Sequence, residues 1–259
     1  MGMTSSTRIA VQFEVEDQPQ RWLLEDEDVP ETPLHDLAID LLVQVLRAFV
    51  RRTGRDAYVA RNLGCRWDPD DARVGMDPDI ALLEPAPVDP EALSTLRVFE
   101  ADQPTPRLAI EVVSPHTADK DYGDAHLRAA RLGVDELWVF DPELRGPGST
   151  GGPFALQVWR RVAGALPTMQ RVHAGEGPAA SPLLGAWLVT TEGGRRLRLA
   201  DDPEGARLWT TPSEQAEVAR REAEVARNEV EAARARAERA EAELGRLRSA
   251  PGPDVTDEG

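Results

Sequence analysis

Hydrophobic and polar positions follow two rhythms along this chain, and the changes of rhythm mark its elements. Ile9, Val11, Phe13 and Val15 alternate with polar neighbours, the pattern of a half-buried strand over Arg8–Val15. An acidic loop, Glu25–Glu31, follows. The spacing then changes to three and four, with Leu34, Leu37, Ala38, Leu41, Leu42, Val45 and Phe49 on one helical face. Thr32 and Pro33 suit the start of that helix, and Arg51, Arg52 and Gly54 suit its end. Short strands are predicted at Asp56–Ala60, Gly64–Trp67 and Pro78–Leu83, with a turn at Asp68–Asp71. Residues 85–103 read as a surface connection with at most one helical turn.

The densest apolar run is Leu108–Val113, short enough to be a strand buried on both faces. Ser114-Pro115 closes it, because proline has no ladder donor. A helix capped by Asp119 or Asp121 runs to Leu132 and stops at Gly133. Asp135–Phe140 is another strand, and Arg145–Pro153 a flexible loop. Phe154–Arg161 alternates again, and shorter strand-like pieces fall near Val172, Trp187–Thr190 and Arg196–Leu199. Strand runs mixed with strand–helix–strand argue for an α/β fold with a mixed sheet.

From Ser213 the rhythm is heptad. Ala216, Ala223, Val230, Ala237 and Leu244 are spaced by seven, and so are Ala219, Ala226, Ala233, Ala240 and Leu247 three residues on. This is the seam of a coiled-coil helix, with Glu222 and Glu229 placed to bridge Arg227 and Arg234 of a partner helix. The alternative is a single solvated helix held by alanine propensity and ion pairs. The division expected is therefore a core domain over 8–200, a linker over 201–212, a coiled-coil helix over 213–248 and a disordered tail over 249–259. Self-association through 213–248 is the partner expectation for that helix.

Net charge is −16, and it is not concentrated in a tail. Residues 214–248 hold nine acids and eight bases, −1, and Asp254, Asp257 and Glu258 add −3, so −12 remains on 1–212. Such a core repels nucleic acid at long range unless it presents cations locally. Lys120 is the only lysine. No apolar run approaches the roughly 20 residues that span a bilayer. The first residues lack a basic-then-apolar leader, and the single cysteine, Cys65, excludes an internal disulfide; both suit the cytoplasm. Cys65 reads as a packing residue, since nothing around it forms a thiol-activating motif.

The chemically odd residue is Glu111, a carboxylate inside the apolar run. Desolvating it is costly without compensation, which a basic partner such as Arg107 or Arg128, backbone donors or a metal ion could supply. Asp79 opens the Pro78–Leu83 strand. If the two strands pair, both carboxylates converge, and such a pair with water and a phosphate suits Mg²⁺ (or Mn²⁺), which takes only one or two protein carboxylates.

The order P-D-I-A-L-L, L-A-I-E-V-V-S-P-x-T, D-x-G-D and G-V-x-E-L-W-V-F-D-P, dense over Asp77–Pro142, resembles the Uma-two family of predicted restriction endonucleases, in the PD-(D/E)XK nuclease superfamily. The resemblance implies a restriction-endonuclease-like mixed sheet flanked by helices, Mg²⁺-dependent phosphodiester hydrolysis, and double-stranded DNA as substrate. It implies Asp79 and Glu111 as metal ligands. The superfamily lysine two residues after the acid falls at Val113. The lysine that this family commonly carries on the next helix falls at Ala125, and an aromatic one turn later at Ala129. Lys120 is the nearest replacement for a catalytic cation, with His126 and His116 as further candidates. His35 reads as a packed or capping side chain, and Glu25, Glu27 or Glu31 could add an acid. The other reading is a catalytically silent relative acting as a binding or assembly module.

Overall fold

A computed structural model describes residues 32–71, 73–164 and 168–249, so the strand expected over Arg8–Val15 and the acids Glu25–Glu31 lie outside the described residues. The first helix, α1, spans Pro33–Thr53. The Thr32 side chain accepts from the His35 N–H at its start, and Gly54 ends it at φ 64, a left-handed value that glycine adopts without strain. Its buried stripe is His35, Ala38, Ile39, Leu42, Val43, Val45, Leu46 and Phe49. This stripe is turned from the one read in sequence, since Leu37 is 51% exposed while Ile39 and Leu46 are fully covered.

Strands β1 (Tyr58–Arg61), β4 (Ile80–Glu84), β6 (Thr105–Val112), β7 (Glu136–Phe140), β8 (Leu156–Val162) and β9 (Thr168–Gly175) form a six-stranded sheet in the order β1-β4-β6-β7-β8-β9. Only β6 and β7 run parallel; the other neighbours are antiparallel. The crossover between β6 and β7 carries α2 (Ala118–Gly123) and α3 (Ala125–Leu132). One helix was expected here, and it is broken after Gly123, where Asp124 leaves helical geometry at φ −124. Neither Asp119 nor Asp121 caps it: Thr117 stands at the N-cap, and Asp121 is buried.

Alternate side chains of β6 feed two cores. Leu108, Ile110 and Val112 face α1 and a second sheet made of β10 (Ala179–Ser181), β11 (Ala186–Thr191) and β12 (Arg196–Ala200). Ala109 and Val113 face α2, α3 and a small sheet of β2 (Gly64–Arg66), β3 (Gly75–Met76) and β5 (Thr95–Arg97). Strand β5 replaces the helical turn expected in the 85–103 connection, and β3 and β10 were not foreseen. Each is two or three residues long, too short for a period-2 pattern to show.

Two acids of the G-V-x-E-L-W-V-F-D-P motif fasten these layers. Glu136 is 3% exposed and accepts from Trp138 Nε1 (3.0 Å), Ser181 Oγ (2.7 Å) and the Leu183 N–H (3.3 Å), which ties the second sheet to β7. Asp141 is fully buried and accepts from the Tyr122 hydroxyl (2.9 Å) and the Arg145 and Gly146 N–H groups (2.9 and 2.8 Å). Tyr122 leaves no room at Gly146, where a Cβ would lie 2.1 Å from its ring.

The last helix, α4, spans Pro212–Ser249 without interruption. Thr211 and Glu214 close its start reciprocally, the Glu214 N–H donating to Thr211 Oγ1 (3.1 Å) and the Thr211 N–H to Glu214 Oε2 (2.7 Å). Arg198 fixes Glu214 to the core through two hydrogen bonds of 2.7 and 3.1 Å. Among the described residues no helix is long and apolar enough to cross a membrane.

Candidate active site

Antiparallel pairing of β4 with β6 sets Ile80 opposite Ile110, which brings Asp79 and Glu111, the next residues outward, to face each other. The pair sits where the sheet backbone is held from both sides. Asp79 Oδ2 accepts the Val112 N–H at 2.7 Å, and the Asp79 carbonyl accepts the Asn62 N–H at 2.9 Å. Glu111 is 2% exposed, and its Oε1 has no hydrogen-bond partner among the described residues. The arginines that could have neutralised it are engaged elsewhere: Arg107 with Asp135 and Glu84, Arg128 with Asp124. Among the described residues Glu111 is therefore not half of a buried arginine ion pair.

Two residues join this pair that sequence reasoning did not place there. Asp121 on α2 is 3% exposed, with Oδ1 lacking a hydrogen bond. His35 on α1 brings Nε2 to 3.5 Å from Asp79 Oδ2. Each had a signal in the sequence. Asp121 is the first acid of the D-x-G-D segment, and His35 is three and four residues before Ala38 and Ile39, on the buried stripe of α1.

Lys120 brings Nζ to 3.8 Å from Asp121 Oδ1, so the sole lysine stands beside the acids with its side chain 39% exposed. His126 does not. Its ring stacks on Trp159 at 4.4 Å, and burial holds its basicity below the usual imidazole range. His116 is exposed on the loop before α2. Ala125 and Ala129, the positions of the family's lysine and aromatic, are both fully covered in the core beneath the sheet. Cys65 is also fully buried, its thiol pushed up to about 12, mainly by burial, as suits a packing residue.

The charges of the site are unbalanced. Burial pushes Glu111 well above the usual carboxylate range, and Asp121 and Asp79 push it further, against the pull of Lys120. Burial also pushes Asp121 up to about 6, although Thr117, Lys120 and His35 favour its charged form. Three carboxylates thus share one corner with one lysine and one histidine. Among the described residues no three Asp, Glu, His or Cys side chains form a ready-made metal cage. A site of two carboxylates plus water is nevertheless what Mg²⁺ takes, and the uncapped buried oxygens of Glu111 and Asp121 fit such a cation.

At the same end of the sheet, where β7 runs out into Asp141-Pro142, a groove of about 400 Å³ opens beside Leu34. Arg145 and Arg195 line it, along with Glu143 and Glu176. The acids of the site do not line it; His35 adjoins it through Leu34.

A mixed sheet with helices packed on its faces makes this an α/β fold. The family model of Uma2, described as "Putative restriction endonuclease", matches residues 16–191, and the chain belongs to that family. The match includes Asp79, Glu111 and Lys120 and stops short of α4. No curated protein matches the chain. Among solved structures, the crystal structure of "a putative nuclease belonging to DUF820" from Anabaena variabilis is similar, at 17% identity and a TM-score of 0.41. It covers 60% of this chain and 75% of that one.

Proposed function

We propose that this chain is a Mg²⁺- or Mn²⁺-dependent endonuclease that hydrolyses phosphodiester bonds in double-stranded DNA. The observation that carries the reading is the Asp79–Glu111 pair, facing across β4 and β6 with an uncompensated buried oxygen between sheet and α2. These two carboxylates would hold the cation, which when bound supplies an activated water and neutralises phosphate charge. The Val112 N–H orients Asp79 by gripping Oδ2, leaving Oδ1 for the cation. His35 restrains the same oxygen from the α1 side. Lys120, half-exposed beside Asp121, can reach outward to hold a phosphate oxygen as negative charge grows on it. Asp121, whose proton is loosely held near neutrality, is placed to accept a proton through water.

A second reading has its own observation. Ala125 and Ala129 are fully covered at the positions where the resemblance to the family implies a lysine and an aromatic. On that reading the core does not cut, and the chain acts as a binding or assembly module through its C-terminal helix. Supercoiled plasmid incubated with Mg²⁺ or Mn²⁺ separates the two. The endonuclease reading expects nicked or linear product from the natural protein, loss with Glu111→Ala, and a large reduction with Lys120→Ala. Metal-independent cleavage, or none by any of the three, would sink it.

A further inference from the structure

The charges flanking the α4 seam specify how that helix pairs. We infer that α4 forms a parallel, in-register coiled coil with a second copy of this chain, which holds two cores at the same end of one rod. This inference does not depend on whether the core cuts DNA.

Among the described residues the helix has no partner for most of its length. At roughly 1.5 Å per residue, 38 residues extend about 57 Å. Seam residues Ala216, Ala219, Ala223, Ala226, Val230 and Leu244 are all exposed. A lone helix so rich in alanine can stand in water, so exposure alone does not identify a partner. The flanking charges do. With the seam at a and d, positions g carry Glu222, Glu229, Arg236 and Glu243, and the e positions five residues later carry Arg227, Arg234, Glu241 and Arg248. In a parallel in-register pair, each g residue faces the e residue five positions on in the partner helix. All four contacts are then between opposite charges. The sign reverses at Arg236, and it reverses at Glu241 too, so the match survives the change.

A spacing of five cannot be bridged within one helix, where neighbours lie three or four residues apart. Accordingly the ion pairs found inside α4 use Glu217 with Arg220 and Arg221, while Glu222, Arg227, Glu229, Arg234, Glu241 and Glu243 make none among the described residues. Antiparallel pairing over the same seam would set Glu222 against Glu243 and Arg227 against Arg234. Half of its flanking contacts would repel. The helix is thus complementary to itself in one orientation only. Its root is firm, because the Thr211–Glu214 cap and Arg198 tie the first turn to the core.

The experiment combines mass and orientation on the full chain. Sedimentation equilibrium is expected to give twice the chain mass. Glu222→Arg/Glu229→Arg, and separately Arg227→Glu/Arg234→Glu, are each expected to weaken the dimer on the order of tenfold or more, since four contacts per dimer change sign. Mixing the two variants is expected to restore a dimer, because each supplies what the other lacks. Ala240→Cys is expected to crosslink to itself on mild oxidation, Cys65 being buried and unable to compete. Circular dichroism checks that each variant keeps its helix. A monomer at all concentrations would overturn the inference. So would crosslinking of an Ala223→Cys and Ala240→Cys mixture while Ala240→Cys alone stays single, since that is the antiparallel signature.

Discussion

Replacing Asp121 by Asn should stabilise the metal-free protein, and the gain should grow with pH. Asp121 is 3% exposed, and burial, with Asp79 adding to it, pushes its carboxyl up to about 6 from an ordinary value of 3.8. A carboxyl whose folded pKa is raised binds protons more tightly in the folded state. Stability from this group is therefore full below pH 4 and falls as pH rises towards about 6, where the penalty levels off. At about 1.36 kcal/mol for each tenfold change in proton affinity, the penalty is on the order of 3 kcal/mol at neutral pH and smaller near pH 5. Asn keeps the shape and the acceptor for Thr117 but carries no charge, so Asp121→Asn should recover that amount. Urea unfolding in EDTA, repeated between about pH 5 and pH 8, measures it. Equal stability of the two proteins at neutral pH, or a difference that does not change with pH, would refute the account of Asp121 as a carboxylate penalised by burial. A cation bound beside the carboxylate offsets its buried charge, so adding Mn²⁺ should narrow the difference.

Three further outcomes are expected. Mg²⁺ at ten times its dissociation constant should stabilise the natural protein by about 1.4 kcal/mol but leave Glu111→Gln unchanged, read as a thermal shift. Tyr122→Phe removes one of three donors to the fully buried Asp141 and should cost about 2 kcal/mol in denaturant unfolding; a loss below roughly 0.5 kcal/mol would mean the hydroxyl is not needed. Thr211→Ala removes the α4 cap and should cost about 1 kcal/mol, with faster amide exchange confined to the first turn after Pro212.

Long periodic elements were legible before any coordinates. The α1 helix, the β6 strand, β7 and the C-terminal helix follow from spacing and from their caps, because those signals are local. Asp79 and Glu111 were legible too, since an acid inside an apolar run is conspicuous in one dimension and the motif order reinforced it. The self-complementary charges of α4 are also entirely in the sequence, because a heptad turns position directly into direction.

Other features depended on distance in space rather than along the chain. Asp121 looks like a helix cap in sequence; only the packing of α2, which buries it, brings it close to Glu111. His35 looks like a first-turn side chain; only the roll of α1, which leaves Leu37 outside and buries Ile39, carries it to Asp79. Arg107 and Arg128 were credible partners for Glu111 until the fold gave them Asp135 and Asp124. Glu136 and Asp141 could pass for catalytic acids, and their full sets of donors show them to be fasteners. Sequence determined which side chains are available and which elements carry them. Tertiary packing decided which carboxylates are fully satisfied and which keep a buried oxygen without a donor, because that depends on donors brought in from segments tens of residues away.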